Sequence, residues 1–110
     1  MTTFSDMRKK YNEEEEVAAQ ARERALAERR AAITDWLKRE GFLEEDGWIH
    51  EPTREGMGII LRTQDREKSA ILLLSGDERR EVYATDIREQ RSAKRVSGWK
   101  DVFDILMRFN

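Results

Sequence analysis

The sequence contains no cysteine, one proline and one histidine among its 110 residues. The absence of cysteine excludes disulfides, thiol nucleophiles and thiolate metal ligands. No run approaches the ~18 consecutive apolar residues that a membrane-spanning helix needs. The first ten residues also lack the apolar region of a secretory signal. We therefore expect one cytoplasmic domain that has no membrane association and binds neither a cofactor nor a metal.

Charged side chains are abundant and nearly balanced. The chain has 21 Lys and Arg against 23 Asp and Glu, which gives a formal net charge of -2. This balance disfavours duplex binding, because strong phosphate binders usually carry a clear basic excess. Of the 32 apolar residues other than alanine, 23 lie between Phe42 and Phe109. The hydrophobic core is therefore expected in that part of the chain.

Residues 13–40 are predicted to form one long helix. Asn12 is a suitable N-cap, and Glu15 three residues later completes a capping box. Seven alanines in the middle of the segment favour the helix further. Gly41 is the expected stop, since glycine is the preferred residue just after a helix. Residues 1–12 are assigned to an N-terminal arm.

The apolar face of this helix weakens toward its N-terminal end. Leu26, Ile33 and Trp36 form an apolar stripe in the second half. The first half offers mainly alanine, and apolar burial stabilises by only roughly 25 cal/mol per Å². The second half should therefore dock on the domain, while the first half projects or meets another chain. The helix residues assigned to that contact are Val17, Ala21, Arg22, Ala25 and Arg29.

The rest of the chain predicts a small sheet followed by a second helix. Strand-like runs are expected within residues 48–87, and Pro52 restricts the first run to an edge. Residues 98–110 have helical apolar spacing, with Ser97 as the candidate cap. We therefore predict an α+β domain over residues 13–110. It has a long N-terminal helix, a three- to four-stranded antiparallel meander and a C-terminal amphipathic helix packed on one sheet face.

No motif in the sequence indicates an enzyme. His50 is the only imidazole, no G-x-S-x-G elbow is present, and zinc binding there would need carboxylates alone. An exposed strand histidine is the expected role. The Gly56-Met57-Gly58 sequence does not make a dinucleotide loop, because Leu61 occupies the third glycine position. The acidic turn at residues 44–47 lacks the alternating oxygen ligands of a calcium loop.

The sequence favours a small non-enzymatic binding protein: a regulator, adaptor or stoichiometric inhibitor that acts on a protein partner. Its composition is typical of bacterial or phage accessory proteins. Besides the helix, the acidic cluster of Glu44, Glu45 and Asp46 is assigned to the partner contact. A homodimer through the N-terminal helix is the other arrangement considered. A standard coiled coil fits poorly, because polar residues such as Glu14 and Glu28 occupy d positions.

A nucleic-acid-binding module is the alternative function. Residues 88–95 carry four basic side chains and one acidic side chain, a local charge of +3. The basic residues assigned to this alternative are Arg88, Arg91, Lys94 and Arg95. Basic side chains can contact a phosphate backbone, and the nearby Trp99 could stack on a base. Burial is nevertheless favoured for Trp99, since it fits the apolar stripe of the last helix.

Overall fold

The computed structural model describes residues 3–76, 80–87 and 93–108. It contains a long helix α1 (Phe4–Arg39), a 3-10 turn (Glu44–Asp46), strands β1 (Ile49–Pro52), β2 (Ile59–Arg62), β3 (Ser69–Leu74), β4 (Val82–Thr85) and β5 (Lys94–Arg95), and a helix α2 (Trp99–Met107). The strands form one antiparallel sheet in the order β1-β2-β3-β4-β5. The predicted α+β fold is confirmed, with one strand more than expected, because Lys94 and Arg95 pair with β4.

Helix α1 begins earlier than predicted. Its N-cap is Thr3, whose Oγ1 accepts a hydrogen bond from the backbone N–H of Asp6 at 3.2 Å. The assignment of Asn12 as the N-cap is therefore wrong, and residues 4–12 are helical. No glycine or proline interrupts this stretch. An asparagine inside a helix costs less than about 0.7 kcal/mol relative to alanine, so Asn12 does not stop it.

The C-terminal end of α1 is where the sequence predicted it. Gly41 has a φ of +99°, a left-handed conformation that glycine adopts without a steric penalty. The next N–H, of Phe42, donates to the carbonyl of Leu37 at 2.9 Å. Together these features form a Schellman-type stop, which turns the chain back toward the sheet. The buried Phe42 ring then packs edge-on against Trp48, with ring centroids 4.9 Å apart.

Both helices cover the same face of the sheet. Side chains alternate between the two faces along each strand, and Leu61, Leu72 and Ala84 lie on the helix-covered face. The helix residues buried in the same cluster are Ile33 and Leu37 of α1 and Val102, Ile105 and Leu106 of α2. Only the C-terminal third of α1 contributes to this core, as the alanine-rich first half predicted.

Helix α2 starts with a side-chain contact that differs from the prediction. Its N-cap is Gly98, so the assignment of Ser97 as the cap is wrong. Both the backbone N–H and the hydroxyl of Ser97 donate to Asp101 Oδ2, at 2.8 and 3.0 Å. These hydrogen bonds stabilise the charged carboxylate and hold the pKa of Asp101 below its usual value.

We expect Asp101→Asn to lower the thermal stability at neutral pH but not in acid. A carboxylate with a lowered pKa in the folded state stabilises the fold above its unfolded-state pKa. That contribution is lost as the pH falls through the folded-state pKa. The difference in Tm between wild type and variant should therefore shrink below about pH 4. Thermal unfolding followed by circular dichroism between pH 7 and about pH 2 measures it. A difference in Tm that stays constant over this pH range would contradict the stabilising role of the Asp101 carboxylate.

Candidate protein-interaction surfaces

Residues 4–25 of α1, which we call the projecting segment, extend away from the domain. The segment is exposed except at the half-buried Ala18, with Phe4 80% and Tyr11 64% accessible. The molecule is accordingly elongated, with dimensions of 67 × 30 × 25 Å. A helix of this length, without a core to pack on, derives little stability from its own apolar residues. Its exposed aromatic side chains therefore make it a candidate contact surface.

Two arginines mark the point where α1 meets the domain. Arg29 Nη2 donates to the carbonyl oxygen of Leu74 at 3.2 Å, at the end of β3. Arg30 Nη1 donates to the carbonyl oxygen of Gly56 at 2.8 Å, in the loop between β1 and β2. Both arginines are half-buried, and each provides a hydrogen-bond donor to a backbone carbonyl of the domain. The docked part of α1 therefore begins immediately after the projecting segment.

Three of the four large apolar residues of the projecting segment share one side of the helix. Phe4, Met7 and Tyr11 follow the i, i+3, i+7 spacing of a single helix face, and Ala18 continues it. Met7 is 61% exposed, so all three large side chains of the stripe are exposed, whereas Ala18 is half-buried. Val17 is also 65% exposed, but a turn of about 100° per residue places it roughly 110° around the helix from the centre of this stripe.

The predicted partner residues do not form one continuous surface. Of the five assigned to α1, Val17, Ala21, Arg22 and Ala25 are exposed in the projecting segment, whereas Arg29 is bound to the Leu74 carbonyl. Ala25 and Arg29 also line a groove of about 350 Å³ between α1 and the end of β3. Val17 is roughly 33 Å from the C-terminal end of α1, given a helical rise of about 1.5 Å per residue. The acidic cluster follows that distant end.

The acidic cluster Glu44, Glu45 and Asp46 forms an exposed 3-10 turn. Its closest described ionic neighbour is His50, whose Nδ1 lies 3.6 Å from Glu44 Oε1. The His50 side chain is only 4% exposed, and its Nε2–H donates to the carbonyl of Phe42 at 2.8 Å. The expectation of an exposed histidine is therefore wrong. His50 pairs with the buried Leu61 across the ladder, so its ring points toward the core side of the sheet.

The described residues around His50 form no cluster that could bind a metal. Within residues 3–76, 80–87 and 93–108, no group of three His, Cys, Asp or Glu side chains is placed to hold a metal ion. His50 fastens β1 to the chain that leaves α1, through the Phe42 carbonyl. This contact gives the single imidazole a structural role.

The basic segment of the alternative function is only partly described. Arg88 and Arg91 lie outside the described residues, whereas Lys94 and Arg95 are exposed on β5. Arg95 Nη1 is 3.1 Å from Glu81 Oε1, so a carboxylate already offsets one of the two described cations. A neutralised side chain contributes less to phosphate binding, which depends on unpaired positive charge.

Trp99 is not buried as the sequence predicted. It is 46% exposed and contacts Phe103 edge-on, with ring centroids 6.0 Å apart. The core side of α2 is formed by Val102, Ile105 and Leu106. Trp99 and Phe103 lie at the margin of that side, because the apolar arc of this short helix is wider than the sheet can cover.

Sequence reasoning missed a second exposed stripe, on α2. Trp99, Phe103 and Met107 lie at i, i+4 and i+8 and are each between 39% and 46% exposed. Aromatic and methionine side chains are enriched at protein interfaces. The sequence did contain one indication of this stripe, which is the width of the apolar arc of α2. Six apolar residues in a nine-residue helix cannot all face one sheet, so some of them have to be exposed.

The sheet face opposite the helices is also partly apolar. Ile71 and Leu73 point to this face, together with Thr85, and the loop between β1 and β2 borders them through Met57. The cavity between loop and sheet measures about 420 Å³. Ile71 and Thr85 are only 8% and 4% exposed, and Leu73 is half-buried. The projecting segment is therefore the more open of the two surfaces.

No protein-family model matches the chain, and comparisons with curated proteins and with solved structures find no similar protein. Within the described parts of the chain, neither helix has the apolar length that a membrane crossing requires. The observations that bear on function are therefore the fold and its exposed surfaces.

Proposed function

We propose that the protein is a small non-enzymatic binding protein, of the regulator, adaptor or inhibitor type, that contacts a protein partner through the projecting segment. The observation that carries the proposal is the exposure of Phe4, Met7 and Tyr11 on a helix that extends beyond its own domain. Large apolar side chains that are exposed to water provide no stabilisation through burial unless another surface covers them. The proposal places this contact in the cytoplasm, in an accessory protein of the bacterial or phage kind.

The composition of the projecting segment supports a partner of helical shape. Alanines at positions 18, 21 and 25 leave shallow depressions on one helix side, into which another helix fits closely. Arginine and glutamate side chains border the same side, and such charges contribute to specificity and association rate more than to raw affinity. A protein with this surface acts by occupying its partner, and it needs no chemical step.

We expect Ala21→Glu combined with Ala25→Glu to abolish partner binding while the Tm changes little. Both alanines are exposed, so the carboxylates are solvated in the free protein but obstruct a close helix contact. Affinity capture from extracts of the source cells, compared between wild type and variant, measures the loss. Thermal unfolding of the purified variant checks that the domain is intact.

The matched control is Ala27→Glu combined with Ala31→Glu. These alanines have the same i, i+4 spacing and are also exposed, but they lie on another side of α1. The control should retain the captured partner. Equal capture by all three proteins would refute the projecting segment as the contact. A large drop in Tm for the first variant alone would show that its surface belongs to the core.

The same purified proteins separate this function from the nucleic-acid alternative. Fluorescence anisotropy with labelled DNA and RNA of random sequence, at low and moderate salt, reports phosphate binding. We expect no salt-dependent binding. Binding that falls steeply with salt and is lost when Lys94 and Arg95 are replaced would instead favour the basic segment as the functional surface.

A further inference from the structure

We infer that the projecting segment pairs with the projecting segment of a second copy of this chain, in antiparallel orientation. The inference rests on the proposed function, because it uses the same exposed helix face and names its occupant. The physical basis is that this one segment carries both halves of a complementary surface, which an antiparallel copy brings together.

The first half of the complementarity is size. Large side chains occupy the start of the stripe, at Phe4, Met7 and Tyr11, and small ones occupy its end, at Ala18 and Ala21. In an antiparallel pair, a and d positions of opposite helices share a layer. Phe4 then packs over Ala21 of the second copy, and Met7 over its Ala18. Each large side chain meets a depression rather than another large side chain.

The second half is charge. Residues 8–10 are Arg-Lys-Lys, and residues 13–16 are four glutamates. Antiparallel pairing with Phe4 opposite Ala21 places the basic run of each copy beside the acidic run of the other. Parallel pairing would place the two basic runs beside each other and the two acidic runs beside each other, and both contacts are destabilising. The charge order along the helix therefore selects the antiparallel orientation.

Arg8 and Glu15 are the pair that flanks the stripe. Both lie on the same border of the Phe4–Tyr11 side, at e positions of the heptad, where interhelical ion pairs set orientation. In the antiparallel arrangement Arg8 of each copy faces Glu15 of the other, so a dimer contains this pair twice. The central layer brings Tyr11 beside Glu14 of the second copy, where the phenol hydroxyl can donate to the carboxylate. Glu14 is a polar residue at a d position, which a standard coiled coil would not accommodate, and in this layer its carboxylate has a hydrogen-bond donor.

The paired length also fits the fold. The overlap covers residues 4–21, about 27 Å of helix. It ends before Arg29 and Arg30, which fasten α1 to the domain. The domain of the second copy therefore lies beyond Phe4, and the two domains are at opposite ends of the paired helices.

The test is the oligomeric state of charge-reversed full-length chains. Light scattering after size exclusion, over about a hundredfold range of concentration, should show that the wild type dimerises. Arg8→Glu alone and Glu15→Arg alone should each weaken the dimer at least about tenfold, since either change places like charges together at both symmetric contacts. The combined variant restores opposite charges and should return to within about threefold of the wild type.

Two results would overturn the inference. One is a wild type that stays monomeric at the highest concentration while circular dichroism shows α1 intact. The other is a combined variant that is as weakly associated as the single ones, which would exclude the Arg8–Glu15 contact. Neither result touches the proposed function, which falls only if Ala21→Glu with Ala25→Glu leaves partner capture unchanged. A monomer whose capture still depends on those alanines would have a different protein as its partner.

Discussion

Replacing Leu37 by alanine is expected to lower the free energy of unfolding by about 2–5 kcal/mol. Leu37 is fully buried where the docked part of α1 packs on the sheet, and its carbonyl also accepts the Phe42 N–H that ends the helix. The loss combines the transfer free energy of the removed methyl groups with a cavity that the neighbouring strands fill only in part. Equilibrium unfolding in urea measures it.

The matched control for Leu37→Ala is Tyr11→Ala, on the same helix. Tyr11 is 64% exposed and contributes nothing to the core in a dilute monomer. Its replacement should change the free energy of unfolding by no more than about 0.5 kcal/mol. Similar losses in the two variants would contradict the division of α1 into a docked part and a projecting segment.

The second large effect is expected for Gly58→Ala, at the entry to β2. A Cβ at this buried position would overlap the carbonyl oxygen of Leu72 and lie 2.7 Å from Leu73 Cδ2. The first neighbour is backbone of the adjacent strand, so β2 and β3 would have to separate locally. Overpacking of this kind costs about 1–3 kcal/mol, and occasionally more. Urea unfolding again reports the change.

Gly76→Ala is the control for the glycine at position 58. A Cβ there would meet its nearest neighbour, Arg29 Nη2, at 3.7 Å, which is an ordinary contact. The free energy of unfolding should stay within about 0.5 kcal/mol of the wild type. A Gly58→Ala protein as stable as the Gly76→Ala protein would refute the close approach of β2 and β3 at this point.

The division of α1 could be predicted from its side chains, whereas its start could not. Leu26, Ile33 and Leu37 provide an apolar stripe only in the second half, and that asymmetry predicted which part docks. The choice between Thr3 and Asn12 as N-cap depends on an energy difference of only about 1 kcal/mol. Without a glycine or proline to interrupt it, the helix continues to the earlier cap.

The exposed parts of the site were the least predictable from sequence. Trp99 has the spacing of a core residue, but spacing does not tell how wide an arc the sheet covers. The charge of Lys94 and Arg95 indicates a nucleic-acid contact but not their secondary structure: they form β5, a two-residue edge strand. Charged residues are common on edge strands, where they discourage pairing with other chains. These charges identify an edge strand only when the pairing of the strands is already known.

The central claim is that the projecting segment is independent of the domain and is a contact surface. Backbone hydrogen exchange of the wild type, measured at low and at high protein concentration, tests this claim most directly. In dilute protein, the amides of residues 4–25 should exchange much faster than those of β2 and β3, because only the latter open with the whole domain. At high concentration the projecting segment alone should become protected. Protection equal to that of β3 in dilute protein would mean that the segment packs on its own domain, and would contradict the account.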